Sequence, residues 1–225
     1  MNEKTFHSAR RESLRKLAVA GAVGAGAYAG LIRAALAANP RQGIRELQGA
    51  VEIDGQPARL GQKVLPGQSV TTGPDGRAVF VIGKDAFLQH ADSEFRIEHG
   101  AATAVLRYVT GRILSVFGKG RKRLETPTAT IGIRGTGCYI EAAQEQTYFC
   151  LCYGEADVTP NGDPAQRETV RTQHHDYPLT IDAGPGPTMM AKAAVVNHTD
   201  DELTMLEALT GRKPPFHGKD YRYDY

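Results

Sequence analysis

Turn-forming residues divide residues 41–160 into short stretches in which apolar and polar side chains alternate. Asp54-Gly55 is one such turn, and a second turn at residues 74–76 precedes an alternating apolar run at residues 78–82. Alternation with a period of two places the apolar side chains on one face of a β-strand, and Asp-Gly pairs favour tight hairpins. Strands of this length and spacing predict a mainly β domain over residues 38–160, either a β-sandwich or a β-roll.

The C-terminal part of the chain has a different pattern. Residues 161–216 are richer in Pro, Gly and His, and we expect a loop-rich extension that contains one C-terminal helix. Asn197 or Thr199 would cap this helix, and Gly211 with the basic residues and prolines that follow it would end it. The polar, tyrosine-rich residues 217–225 are expected to form a mobile tail.

The N-terminal residues 1–37 have the layout of an export signal. Arg10-Arg11 precedes a weakly apolar run at residues 17–31, and Ala35-Leu36-Ala37 provides a small-x-small cleavage signature. The arginine pair is similar to a twin-arginine signal, a type that carries proteins already folded. We therefore expect cleavage after Ala37 and a periplasmic location. An uncleaved signal that anchors the protein in the membrane is the alternative.

The charge balance and the motifs of the chain bear on its function. The first 37 residues carry six basic and two acidic side chains, so they account for the formal net charge of +2. The rest of the chain is slightly acidic, which gives it no general attraction to nucleic acid. No paired-carboxylate, Ser-His-Asp or nucleotide-binding signature is present, and we expect a protein that is not an enzyme.

A run of sequence at residues 126–136 ends in Arg134-Gly135-Thr136. Strand-like patterns rich in Gly and apolar residues accompany it at residues 61–73, 76–83, 93–97 and 147–154. Together these patterns resemble the FecR domain over residues 48–159, about half of the chain. The resemblance implies a β fold of FecR type for the domain at residues 38–160.

In the FecR family the domain is often the periplasmic half of a membrane-spanning regulator. Such a regulator relays the state of an outer-membrane iron-siderophore receptor to a sigma factor, and other members are soluble envelope proteins. A regulator needs a cytoplasmic domain before its membrane span, and only about 16 residues precede the apolar run at residues 17–31. We therefore expect a periplasmic binding or scaffold module that recognises another envelope protein or a cell-wall component.

Three cysteines are clustered in the predicted hairpin. Cys150 and Cys152 are two residues apart and should share one face of a strand, and a turn near residues 144 and 145 should bring Cys138 roughly opposite one of them unless a bulge changes the register. His174 and His175 follow downstream, and at most one of two adjacent residues on a strand would point towards the cysteines. Three thiolates and one imidazole would suit zinc or another thiophilic metal, which makes the protein a candidate metal sensor or redox protein.

Three other interpretations of the cysteines remain open. A disulfide between Cys138 and either Cys150 or Cys152 would suit an oxidising envelope. The cysteines would otherwise be small buried residues of a core, or part of a Cys-His nucleophilic pair that has no recognisable motif around it. The segment at residues 174–176 is also typical of a polar surface loop, and His198 is interpreted as a neighbour of the helix cap and not as a ligand.

Overall fold

The computed structural model describes residues 42–98, 104–219 and 221. Within these ranges the chain is mainly β, with fifteen strands and a single α-helix near the C-terminus, which confirms the fold class expected from the sequence. The expected export signal at residues 1–37 lies outside the described residues, as does the end of the expected tail. No helix in the described part of the chain is long and apolar enough to cross a membrane.

The secondary-structure elements are numbered in chain order. The strands are β1 (Gly43–Gln48), β2 (Val51–Ile53), β3 (Gln56–Pro57), β4 (Ser69–Thr72), β5 (Arg77–Ile82), β6 (Asp85–Gln89), β7 (Ser93–Glu98), β8 (Ala104–Val116), β9 (Arg121–Glu125), β10 (Ala129–Arg134), β11 (Gly137–Ala142), β12 (Gln146–Pro160), β13 (Glu168–Thr172), β14 (Leu179–Asp182) and β15 (Met190–Lys192). The α-helix, α1, spans Asp200–Leu209, and a short 3-10 helix spans Pro164–Gln166.

Hydrogen bonding arranges the strands into two layers, sheet A and sheet B, which share the long strands β8 and β12. The strand order of sheet A is β1-β5-β6-β8-β11-β12-β14-β15. The strand order of sheet B is β3-β2-β4-β7-β8-β9-β10-β12-β13. Neighbouring strands are antiparallel except β8 and β9, which are parallel. The strands that follow residue 160 therefore continue both sheets.

Each shared strand passes from one sheet to the other at a glycine with a positive φ angle. In β8 this residue is Gly111 (φ 88°), and in β12 it is Gly154 (φ 106°). A Cβ atom at Gly111 would collide with Ser93, and one at Gly154 would lie 2.6 Å from the side chain of Thr136. Because only glycine adopts these backbone angles without strain, the two positions allow single strands to build both layers.

The main hydrophobic core lies between the two sheets. Its centre is a group of aromatic rings, with Phe87 stacked on Phe80 at a centroid distance of 5.0 Å. Phe95 lies 4.9 Å from Phe87 and 5.4 Å from Tyr108, so rings from sheet A meet rings from sheet B. All four side chains are buried, and aromatic contacts of this kind dominate the energetics of a core.

The outer face of sheet A, which points away from sheet B, is also covered. The helix α1 packs Leu203, Leu206 and Leu209 against this face, and Phe216 follows. Because both of its faces are buried, sheet A does not alternate between apolar and polar side chains, and residues 78–81 of β5 are all buried. The apolar side chains of the outer face include Val79, Val81, Ala86, Leu88, Leu114 and Val116.

The helix α1 begins at a capping box. The side chain of Thr199 accepts a hydrogen bond from the N–H of Glu202, and the carboxylate of Glu202 accepts one from the N–H of Thr199. Thr199, one of the two caps expected from the sequence, is therefore the N-cap. Asn197, the other, has a left-handed backbone (φ 57°) and turns the chain just before the helix.

Candidate metal centre

The strand β12 positions two cysteines on the outer face of sheet A. Cys150 and Cys152 are fully buried there, beneath the region where α1 begins. Their shared orientation agrees with the expectation from their two-residue spacing, because successive side chains of a strand alternate between its faces.

Cys138 does not join the other two cysteines, and the expectation that it would lie opposite one of them is wrong. The turn after β11 pairs Ala142 with Thr147, and this register brings Cys138 opposite Leu151. Both side chains point into the core between the sheets, on the opposite side of sheet A from Cys150. All three cysteines are free thiols, and burial raises the pKa of Cys138 well above its usual range.

A β-bulge in β12 shapes the site. Gly137 pairs with Tyr153 while Cys138 pairs with Leu151, so Cys152 is an extra residue that has no partner on β11. The carbonyl of Cys152 accepts a hydrogen bond of 3.0 Å from the backbone N–H of His175. The bulge therefore holds the loop after β13 directly over the cysteine pair.

The loop after β13 brings two histidines to the same place. His175 has a left-handed backbone (φ 54°) and lies in a bend, so the alternation expected for adjacent residues of a strand does not apply. The rings of His174 and His175 lie 4.6 Å apart, and both side chains are buried. They do not form the polar surface loop that is one interpretation of the sequence.

Four side chains meet above the bulge: Cys150, Cys152, His175 and His198. Each offers one potential ligand atom, and these atoms all lie within 4.8 Å of one another. The Nδ1 atom of His175 lies 3.4 Å from the Sγ atom of Cys150 and 3.0 Å from the Nε2 atom of His198. All four residues are buried, so this group, which we call the Cys2His2 cluster, is shielded from water.

Contacts around the Cys2His2 cluster fix the tautomers of both rings. The Nδ1 atom of His198 lies 2.7 Å from the carbonyl oxygen of Val196, which can only accept a hydrogen bond. The Nε2 atom of His175 lies 3.2 Å from a carboxylate oxygen of Asp200, which also accepts. In its neutral form each ring therefore carries its proton on the outer nitrogen and directs the lone pair of the other nitrogen towards the cysteines. This is the arrangement that orients histidines around a metal ion.

The electrostatics of the cluster favour a thiolate. A hydrogen bond from Cys152 lowers the pKa of the Cys150 thiol well below its usual range, with help from His175 and His198 and against the effect of burial. Burial raises the pKa of Cys152. Burial also opposes a charge on His175, but its contacts with Cys150 and Asp200 raise its pKa overall. Cys150 is therefore ready to act as a thiolate ligand.

Asp200 connects the buried histidines to the surface. Its carboxylate lies 2.8 Å from the Nε2 atom of His174 and 3.2 Å from that of His175, and its side chain is 42% exposed. The rings of Phe216 and Tyr221 each lie 4.4 Å from the ring of His174 and cover it. His174 thus contacts Asp200 and is not part of the Cys2His2 cluster.

The structure therefore brings together three of the five predicted ligands, Cys150, Cys152 and His175. His174 lies beside them, and Cys138 lies on the other side of the sheet. Sequence reasoning missed His198 and Asp200, which flank the helix cap. The only local signal was the presence of both residues two positions apart, a pattern that is also typical of a helix start.

Comparisons with known proteins yield little for this chain. No family model and no curated protein matches it. Two crystal structures of a protein from Parabacteroides distasonis ATCC 8503, provisionally described as an anti-sigma factor, are similar to it with a TM-score of 0.47 and 11% sequence identity. The similarity covers 56% of this chain and 58% of that chain, so it spans less than two thirds of either.

Proposed function

We propose that this protein is an exported, non-enzymatic β module that binds one zinc ion, or another thiophilic divalent ion, through Cys150, Cys152, His175 and His198. One observation carries the proposal. The Nδ1 atom of His175 and the Nε2 atom of His198 lie 3.0 Å apart, although each ring already directs its N–H to another acceptor. Two lone pairs at this distance repel each other unless a proton or a metal ion lies between them, and the thiols of Cys150 and Cys152, within 4.8 Å, complete a four-atom donor set for a metal ion.

The distances of the cluster fit a tetrahedral ion. Zinc bound at about 2.0–2.1 Å to nitrogen and about 2.3 Å to sulfur requires edges of about 3.3 Å between nitrogens and about 3.6 Å between nitrogen and sulfur. The corresponding distances are 3.0 Å between His175 and His198 and 3.4 Å between His175 and Cys150. These two distances lie within about 0.3 Å of the values that a tetrahedral zinc ion requires.

The donor set also indicates what kind of site this is. Four protein ligands complete a tetrahedral shell and leave no position for a water molecule or a substrate, which is typical of structural zinc and not of catalytic zinc. The ligands are buried, and their outer nitrogens are bonded to Val196 and Asp200. A closed site of this type supports the proposal that the protein is not an enzyme.

The sequence supports the cellular setting of the proposal. Residues 48–159 resemble the FecR domain, and residues 1–37 have the layout of a twin-arginine-like export signal. A chain exported in the folded state would load its ion in a reducing compartment. The bound ion would then protect Cys150 and Cys152 from disulfide formation in the oxidising periplasm.

Elemental analysis of the full chain, purified without chelators, tests the metal site. We expect about one equivalent of zinc per chain, and substitution by cobalt should produce the charge-transfer absorption of a thiolate complex. Cys150→Ser and His198→Ala should each abolish stoichiometric binding. Cys138→Ser is the matched control, because Cys138 is equally buried but lies across the sheet, and it should retain the ion. A folded chain without metal, or equal metal content in Cys150→Ser, would contradict the proposal.

A second candidate function is the binding of another envelope protein or a cell-wall component. Leu60 is 68% exposed and lines an open cleft, and Leu65, which lies in the same loop between β3 and β4, is 54% exposed. Large apolar side chains exposed together often mark a binding surface. A photo-reactive residue at position 60 should form a specific cross-link in the envelope, whereas one at the exposed Thr169 should not. Identical cross-linking patterns at both positions would contradict this function.

A further inference from the structure

The proposed ligands come from three separate segments of the chain. The strand β12 provides Cys150 and Cys152, the loop after β13 provides His175, and the segment before α1 provides His198. We infer that the bound ion controls whether residues 197–216 stay docked on the outer face of sheet A. This inference rests on the metal site proposed above and adds a regulatory consequence to it.

The helix α1 depends on its packing against sheet A. The helix α1 has ten residues, and isolated helices of this length are not stable in water. It exists because Leu203, Leu206 and Leu209 are buried against sheet A. Contacts that hold its ends on the sheet therefore add to its stability.

At the N-terminal end of the helix, contacts to the sheet converge on the proposed ligands. His198 is the ligand that precedes the helix, and its ring stacks on Tyr139 of β11 at 4.6 Å. Asp200, the first residue of α1, contacts both His174 and His175. An ion that binds His175 and His198 would fasten this end of the helix to β12, and its loss would leave like-charged or mutually repelling ligand atoms beneath the helix.

The C-terminal end of the helix is held without the proposed ligands. Tyr153 of β12 donates a hydrogen bond to the buried carboxylate of Glu207. Arg212 pairs with the same carboxylate at 2.5 Å and donates to the carbonyl oxygen of Lys84 at 2.6 Å. Loss of the ion would therefore release the helix from its N-terminal end, while this anchor and the core between the sheets stay intact.

Hydrogen exchange of the full chain, with its ion and after removal by a chelator, tests the inference. We expect the amides of α1 to lose protection by at least about tenfold on metal removal, while those of β10 keep theirs. The binding of a fluorescent hydrophobic dye should rise, because Val79, Leu88 and Leu114 become accessible. Tyr153→Phe provides a second variant, since it removes the hydrogen bond between Tyr153 and Glu207 and changes no proposed ligand. It should keep α1 docked with the ion bound and increase the loss of protection on chelation.

The possible outcomes separate the two proposals. A chain that binds no metal overturns the proposed function and this inference with it. A chain that binds one equivalent of metal, but whose α1 amides exchange equally with and without the ion, overturns the inference alone. Equal loss of protection in α1 and β10 also overturns it, because the ion would then stabilise the whole fold and not the docking of one segment.

Discussion

The hydroxyl of Tyr153 donates a hydrogen bond to the buried carboxylate of Glu207, and this bond joins β12 to α1. Burial and the neighbouring carboxylate raise the pKa of Tyr153 well above its usual range, which keeps the hydroxyl protonated and able to donate. The bulge at Cys152 explains why this contact exists. It directs two consecutive side chains, Cys152 and Tyr153, to the outer face of sheet A. One irregularity of the strand thus supplies both a proposed ligand and an anchor for the helix.

The substitution Tyr153→Phe should destabilise the protein without removing its metal. It leaves one oxygen of a buried carboxylate without a donor, and such losses cost about 1–3 kcal/mol of the free energy of unfolding. Urea unfolding of the metal-loaded variant and the wild type measures the difference. Zinc content should be equal in the two proteins, because Tyr153 does not contact a ligand nitrogen. Loss of zinc in the variant would contradict the separation of the two anchors.

The substitution Gly137→Ala should also weaken the attachment of the helix. A Cβ atom at Gly137 would lie 2.5 Å from the ring of Tyr153, so the ring would have to move. Overpacking of this kind typically costs about 1–3 kcal/mol. Gly184→Ala is a suitable control, since a Cβ atom there meets no other atom within 4 Å. Equal thermal stability of the two variants would show that Tyr153 is not held in place by the packing of its ring against Gly137.

The stability of the protein should fall in mild acid because of His90, which follows β6. Burial, together with the charges of Arg112 and Arg77, lowers the pKa of His90 from 6.5 to about 4. Between these two values the unfolded chain binds a proton on this residue and the folded chain does not. The contribution of neutral His90 to the free energy of unfolding is therefore complete above pH 6.5. It is lost as the pH falls towards 4, which lowers the free energy of unfolding by at most about 3 kcal/mol.

His90→Gln isolates this effect, because glutamine keeps a polar group but does not titrate. The free energy of unfolding of the variant should depend less steeply on pH between 4 and 6.5 than that of the wild type. Acid release of a bound ion affects both proteins equally and cancels in the difference between them. Parallel pH profiles would show that His90 is not buried as a neutral ring.

The features of the fold and of the site that depend on residues close together in the sequence could be predicted from the sequence. Alternating apolar residues and turn signals were sufficient for a mainly β fold, and a two-residue spacing was sufficient to place Cys150 and Cys152 on one face. The position of Cys138 depends on strand register, which the turn before Thr147 decides. A shift of one residue moves a side chain to the other face, so spacing alone could not fix it.

The parts that depend on distant segments could not be predicted. His198 and Asp200 reach the cysteines only because the chain turns at Asn197 and lays α1 across sheet A. In sequence the same residues are typical of a helix start, and Thr199 between them is indeed the N-cap. A residue beside a cap can therefore also belong to a buried Cys/His cluster, and only tertiary contacts reveal that second position.

Asp200 should strengthen metal binding although it is not a ligand. Its carboxylate accepts the outer N–H of His175 and so fixes the ring with Nδ1 towards the cysteines. Loss of such a supporting carboxylate typically reduces metal affinity by about 10- to 100-fold. We expect Asp200→Asn to show a loss of this size when zinc is partitioned between the protein and a chromogenic chelator. Asp201→Asn is the matched control, because Asp201 lies in the same first turn of α1, is exposed and interacts similarly with the helix dipole. If both variants bind zinc as tightly as the wild type, the contact between Asp200 and His175 does not orient a ligand.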